Sequence, residues 1–149
     1  MNHHLLLVIH LLCAAIWIGG HLLLAFAYLP TALKNKDPNI ILKFEKKYEP
    51  IGLPSLVLLV ITGVLMAQQF GVNYENWFEF ANPIEKVVSW KLTLLAITVL
   101  FALSAQFRVI PKLKEHPNKL PEMAFHIISV TTIGVIMLIL GSYVRYGGI

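Results

Sequence analysis

The chain has 149 residues, 57% of them hydrophobic and only 13% charged, with a mean hydropathy of +0.71 and a net charge of +4. A soluble domain averages roughly 45–50% apolar and about 25% charged residues, so an ordinary soluble globule is excluded, and the abundant apolar surface excludes a disordered chain. One cysteine excludes a disulfide framework, and the basic excess is what the cytoplasmic loops of a membrane protein carry, with no call for a nucleic-acid partner.

A transmembrane helix needs about 20 mostly apolar residues. Four segments meet that requirement, and the chain reads as a single all-α domain, an integral membrane four-helix bundle. The first span covers residues 4–29 and stops at Pro30. It has no basic leader, and its apolar run exceeds the ~7–15 residues of a signal core, so it is expected to be retained. Residues 39–48 follow, with Ile40, Ile41, Phe44 and Tyr48 at helical spacing. They predict a short amphipathic helix on the membrane surface. The second span covers 51–69, with Pro50 and Pro54 at its start, where proline is tolerated. The third covers 87–107, ahead of Pro111, and the fourth covers 121–144, ahead of Gly147 and Gly148. No internal repeat is evident.

The connections set the orientation. Lys34, Lys36, Lys43, Lys46 and Lys47 lie between the first two spans. Arg108, Lys112, Lys114 and Lys119 lie between the last two. The middle loop holds Glu75, Glu79 and Glu85 against Lys86. Basic loops stay on the cytoplasmic side. Both termini are therefore expected in the periplasm, with the protein in a bacterial inner membrane.

Ionisable residues inside a span are rare and face the bundle interior. His10 and His21 are close to three helical turns apart, so they share a face, with Trp17 between them. About 16 Å of axial rise separates them, too far to share one metal ion. Each needs partners from other spans at its own depth. The inner level pairs His21 with His126; the outer level groups His10, Met66 and Lys91. Two imidazoles from facing helices suit haem b iron. His with Met suits copper, thioether favouring Cu(I). Gly19 and Gly20 leave room for a flat macrocycle or a neighbouring helix. Trp17, Phe26 and Phe125 are candidates to flank a porphyrin, Glu45 and Tyr48 to close the inner site, and Arg108 or Lys112 to pair propionates. Each has a plainer reading: Met66 as core filler, Lys91 snorkelling to the headgroups, and the histidines as packing in a structural subunit.

The stretch His10, Trp17, Gly19, Gly20, His21 resembles the short four-span members of the CopD family, the copper-resistance D domain. The resemblance continues through Leu29-Pro30, Gly52-Leu53-Pro54, Trp90-Lys91-Leu92, His126 to Thr132 and Arg145-Tyr146-Gly147-Gly148. It implies an inner-membrane helical bundle connected with copper uptake or tolerance. A more distant resemblance, through His10, Trp17, Leu29-Pro30 and Lys91, is to HemJ, the haem-associated protoporphyrinogen oxidase. Thr31 stands where that pattern has arginine. The function classes expected are therefore a copper-handling protein, a haem b redox protein and a non-metal assembly subunit. The partners expected are the bilayer, a redox or copper carrier, and a second copy of the chain. No Ser/His/Asp set or phosphate loop supports a hydrolase or kinase.

Overall fold

The computed structural model describes residues 2–149, with the side chains of Lys114 and Pro117 left aside. Every regular element among them is helical. Span 1 (His3–Asn35) joins α1 (His3–Leu23), a π turn (Leu24–Tyr28) and α2 (Leu29–Asn35). Span 2 is α3 (Asn39–Gln69). Span 3 (Pro83–Leu113) joins α4 (Pro83–Ser104), a second π turn (Ala105–Val109) and the start of α5 (Ile110–Glu115). Span 4 (Leu120–Tyr146) is α6 (Leu120–Tyr143) with a closing 3-10 turn. All four are long and apolar enough to cross a membrane, so the all-α, four-span reading holds.

Two local expectations are corrected. Residues 39–48 do not form a separate surface helix; α3 runs unbroken from Asn39 through Pro50 and Pro54 to Gln69. The two prolines remove the helical bonds to the Lys46 and Pro50 carbonyls, a loss that packed membrane helices tolerate. Ile41 is fully buried in a cluster with Leu24, Leu29, Val109 and Leu113. That stripe therefore faces protein, and headgroups do not cover it. Spans 1 and 3 also continue past Pro30 and Pro111. Each proline ring would strike the carbonyl four residues back. A π turn precedes each proline and widens the helix at that place.

The matched π turns reveal an internal repeat that the chain pattern alone does not announce. Pro30 and Pro111, Phe26 and Phe107, Leu22 and Leu103, and Ile16 and Ile97 stand at equal distances from their turns. Phe26 and Phe107 are each 77% exposed, on the surface offered to lipid. Spans 2 and 4 carry Gly63-Val64-Leu65-Met66 and Gly134-Val135-Ile136-Met137. The bundle is thus two helical pairs built on one plan. In this register His10 corresponds to Lys91, Gly20 to Phe101 and His21 to Ala102.

Span 1 packs along span 2, span 3 along span 4, and span 4 along span 1. Around the bundle the order is 2–1–4–3, and a cavity interrupts the remaining seam between spans 2 and 3. The termini and the loop around Val72 share one end. His3 Nδ1 is 2.7 Å from Gln69 Oε1, and the Ile149 amide donates to the Pro83 carbonyl at 3.4 Å. A capping box starts α4 there, Asn82 accepting from the Glu85 amide at 2.9 Å and Glu85 from the Asn82 amide at 3.3 Å. The connections 36–38 and 116–119, flanked by helix ends that carry most of the lysines, lie at the opposite end.

Candidate functional site

The cavity, of about 320 Å³, lies in the half of the bundle nearer the connections 36–38 and 116–119. That volume is within the range of small-molecule sites. Leu53, Leu103 and Phe107, all exposed, rim its opening between spans 2 and 3. His21 and Trp17 enter from span 1, Glu45, Tyr48 and Glu49 from span 2, Phe101 and Gln106 from span 3, and His126 from span 4. The walls are mostly apolar, and the polar groups converge from four helices, the arrangement by which bundles build cofactor sites.

Each histidine is held in a defined form. The His21 Nδ1–H donates to the Trp17 carbonyl at 2.9 Å. A carbonyl oxygen only accepts, so Nδ1 carries the proton and Nε2 presents its lone pair. The His126 Nδ1–H donates to the Glu122 carbonyl at 2.9 Å, and its Nε2 accepts from the Ser104 hydroxyl at 3.1 Å. Both acceptors lie one helical turn back on the histidine's own span, so α-helix geometry itself sets the tautomer. This backbone support is the kind that orients ligating imidazoles.

Tyr48 fixes the His21 side of the cavity. Its hydroxyl donates to the Ile16 and Trp17 carbonyls at 3.0 and 2.9 Å. The Trp17 carbonyl therefore serves Tyr48 and His21 together. The Trp17 and His21 rings lie 4.4 Å apart between centroids, and the Tyr48 ring meets His21 edge-on at 5.9 Å. Two glycines admit the tyrosine. A Cβ on Gly20 would come within 2.2 Å of the Tyr48 ring, and one on Gly52 within 2.6 Å. Gly20 therefore makes room for Tyr48, the sequence expectation of space for a macrocycle or helix resolving to one side chain from span 2. Gly19 has nothing within 4 Å of the corresponding position.

His126 packs edge-on against Phe101 at 5.3 Å. Phe125 is exposed with its ring 6.1 Å from His126, and Phe26 turns outward. Of the three aromatic residues expected to flank a porphyrin, only Trp17 lines the cavity, and Phe101 takes the other place. No periodicity argument singled out Phe101; its register opposite Gly20 becomes visible only with the π turns. Arg108 is committed to Glu122 at 3.0 Å, and Lys112 is exposed. The seam is bridged by Gln106, whose amide donates to Glu49 at 2.8 Å.

The residues of the outer group each have a near neighbour on another span or on their own backbone. The His10 Nδ1 bonds to Thr62 at 2.8 Å, and Lys91 points to Gly141 of span 4. Met66 is partly buried near the end of α3, its carbonyl accepting from the Phe70 amide at 3.1 Å. Among the described residues no group of three or more His, Cys, Asp and Glu is placed to hold a metal ion.

The family model for copper resistance protein D, CopD, matches residues 42–146. The chain belongs to the CopD family. A search of curated proteins and a search of solved structures each find no match. The matched segment of this CopD-family membrane protein covers all but the first three residues of span 2 and the whole of spans 3 and 4, and so includes Tyr48, Met66, Lys91, Ser104 and His126. Span 1 with His10, Trp17 and His21 precedes it.

Proposed function

We propose that this membrane protein holds haem b in the cavity through the Nε2 atoms of His21 and His126, and serves membrane redox chemistry connected with copper handling. The observation that carries the reading is the pair of histidines from different spans, both lining one cavity and both with Nδ1–H given to a backbone carbonyl. The donor count favours haem over a bare ion. A macrocycle supplies four nitrogen donors and asks the protein for one or two axial ligands; a protein-bound ion asks the chain for its whole coordination set. Trp17, Phe101 and the aliphatic walls suit an apolar ring, and exposed apolar side chains, Leu53, Leu103 and Phe107, rim the opening between spans 2 and 3. When bound, such a group supplies one-electron chemistry. His126 would exchange its Ser104 hydrogen bond for the ligand.

Family membership supports a second reading, in which the two Nε2 lone pairs hold a copper ion as cargo. In either reading the basic residues of the first and last connections favour a bacterial inner membrane with the lysine-bearing end toward the cytoplasm and both termini outside. The test is an absorption spectrum with metal analysis of the purified protein, with and without dithionite. Haem predicts a Soret band that His21→Ala and His126→Ala each remove. Copper without a Soret band supports the second reading. Protein from haem- and copper-replete cells that carries neither supports a structural subunit and ends the proposal.

A further inference from the structure

The connection between spans 2 and 3, residues 70–82, carries Phe70, Tyr74, Trp77, Phe78 and Phe80. The connections at the opposite end, 36–38 and 116–119, carry no phenylalanine, tyrosine or tryptophan. The second half of the aromatic loop folds back along span 3. The Phe78 amide donates to the Ser89 hydroxyl at 3.2 Å, and Ser89 is fully buried, its own hydrogen given to the Glu85 carbonyl at 2.7 Å. Ser89 lies beyond Pro83, the start of α4, by about 9 Å of helical rise. The Phe80 ring meets the next side chain of α4, Trp90, in a T-shaped contact at 5.9 Å. Residues 78–80 thus run beside the first two turns of span 3. The return to Pro83 is held by Glu85, which accepts from the Ala81 and Asn82 amides at 3.0 and 3.3 Å.

The backbone at this place is strained. Phe78 and Phe80 have φ of 69° and 56°, a left-handed conformation that is uncommon for a bulky residue. Such a conformation persists where the surroundings enforce it, and here Ser89 and Glu85 do so. The result is that two apolar rings are held outward, 54% and 37% exposed. Glu79 between them bonds within the loop, accepting from Asn76 at 3.1 Å. Trp90 is 48% exposed, and with Ile97 and Leu100, also exposed, it forms one stripe along α4. That stripe is surface that span 3 offers to lipid, and Phe80 continues it without a break.

We propose that residues 78–80 lie in the bilayer interface at the terminal end of the bundle, with Phe78, Phe80 and Trp90 in contact with lipid, as an aromatic anchor that sets the depth of span 3. Aromatic rings favour that zone of a membrane, and the fold-back brings them to its level. The anchor shares no residue with the cavity of His21 and His126 and stands independently of what that cavity holds.

The test uses the full chain with Cys13→Ser and one new cysteine, from Phe78→Cys, Phe80→Cys or Glu75→Cys. Each protein carries a nitroxide label and is reconstituted in phosphatidylcholine nanodiscs. At 78 and 80, collisions with oxygen, which concentrates in lipid, should exceed those with a water-soluble nickel chelate severalfold, and at 75 the order should reverse. Labels at 78 and 80 that favour nickel place the loop in water and overturn the proposal. Labels that neither reagent reaches also overturn it, since protein then covers the loop. If the cysteine variants lose helix content by circular dichroism, an exchange of rings decides. Phe80→Trp combined with Trp90→Phe is compared with Trp90→Phe alone, so that the added emission comes from position 80. Quenching of that emission by lipid brominated on the upper acyl chain, in excess of quenching by iodide, is the expected result. Quenching mainly by iodide, or by neither, overturns the proposal.

Discussion

The two helical pairs share a backbone plan, and opposite side-chain choices at one position separate them. In spans 1 and 2, Gly20 empties its position, and Tyr48 enters to bond two carbonyls of span 1. In spans 3 and 4, the equivalent Phe101 fills its position and meets His126 in a T-shaped ring contact. The first pair is clamped by a side chain that crosses into its neighbour. In the second the histidine is met by Ser104 of its own pair, and both histidines line the one cavity. A repeat can thus hold two unlike imidazole environments, because a side chain added on one side and removed on the other decides where the space goes. Lipid tails are as apolar as the side chains, so helix association here rests on such local packing and hydrogen bonds.

The comparison breaks most completely at Tyr48. Tyr48→Ala empties the glycine slot and removes the donor to two carbonyls, and should cost roughly 3 kcal/mol of stability; a reversible unfolding titration in detergent measures it. Next comes Gly20→Ala, which drives a methyl group into the tyrosine ring and should cost about 1–3 kcal/mol. In a Tyr48→Ala background that cost should disappear, and a double-mutant cycle without coupling would show that Gly20 serves something else. Gly19→Ala is the control. It meets open space and should be neutral or stabilising by up to ~1 kcal/mol through helix propensity.

On the other side of the comparison, Ser104→Ala removes the donor to His126 Nε2 and should cost about 1 kcal/mol. The ring-nitrogen NMR shift of His126 should move while that of His21 stays. The smallest effect is expected for Arg108→Ala. Its ion pair with Glu122 is largely exposed and should change stability by less than ~1 kcal/mol.

Much of this was legible in the chain because lipid imposes few solutions. Four apolar runs of sufficient length, separated by charged connections, leave little choice but four helices. The depths of His21 and His126 followed from helical rise, and both line one cavity. The legible part ended where prolines were read as boundaries. Pro30, Pro50 and Pro111 each sit within a longer run, since neighbouring helices and π turns absorb the lost bond. The partner of Gly20 was hidden for a related reason. A surface helix that breaks at Pro50 lets Tyr48 close the inner site from outside, but it gives no reason for the ring to enter beside Gly20.

By itself the sequence determined that the protein is an all-helical, four-span membrane protein whose few polar groups lie at two depths, because burial in hydrocarbon forces every backbone group into a helix and makes each polar side chain an exception. Only the tertiary structure decided which of those groups meet. It put Tyr48 against His21, Ser104 against His126, Thr62 against His10, and left Lys91 without an acceptor among the described residues. Those pairings depend on the order of helices around the bundle and on where a missing Cβ lets a neighbour in. Periodicity along one helix carries neither.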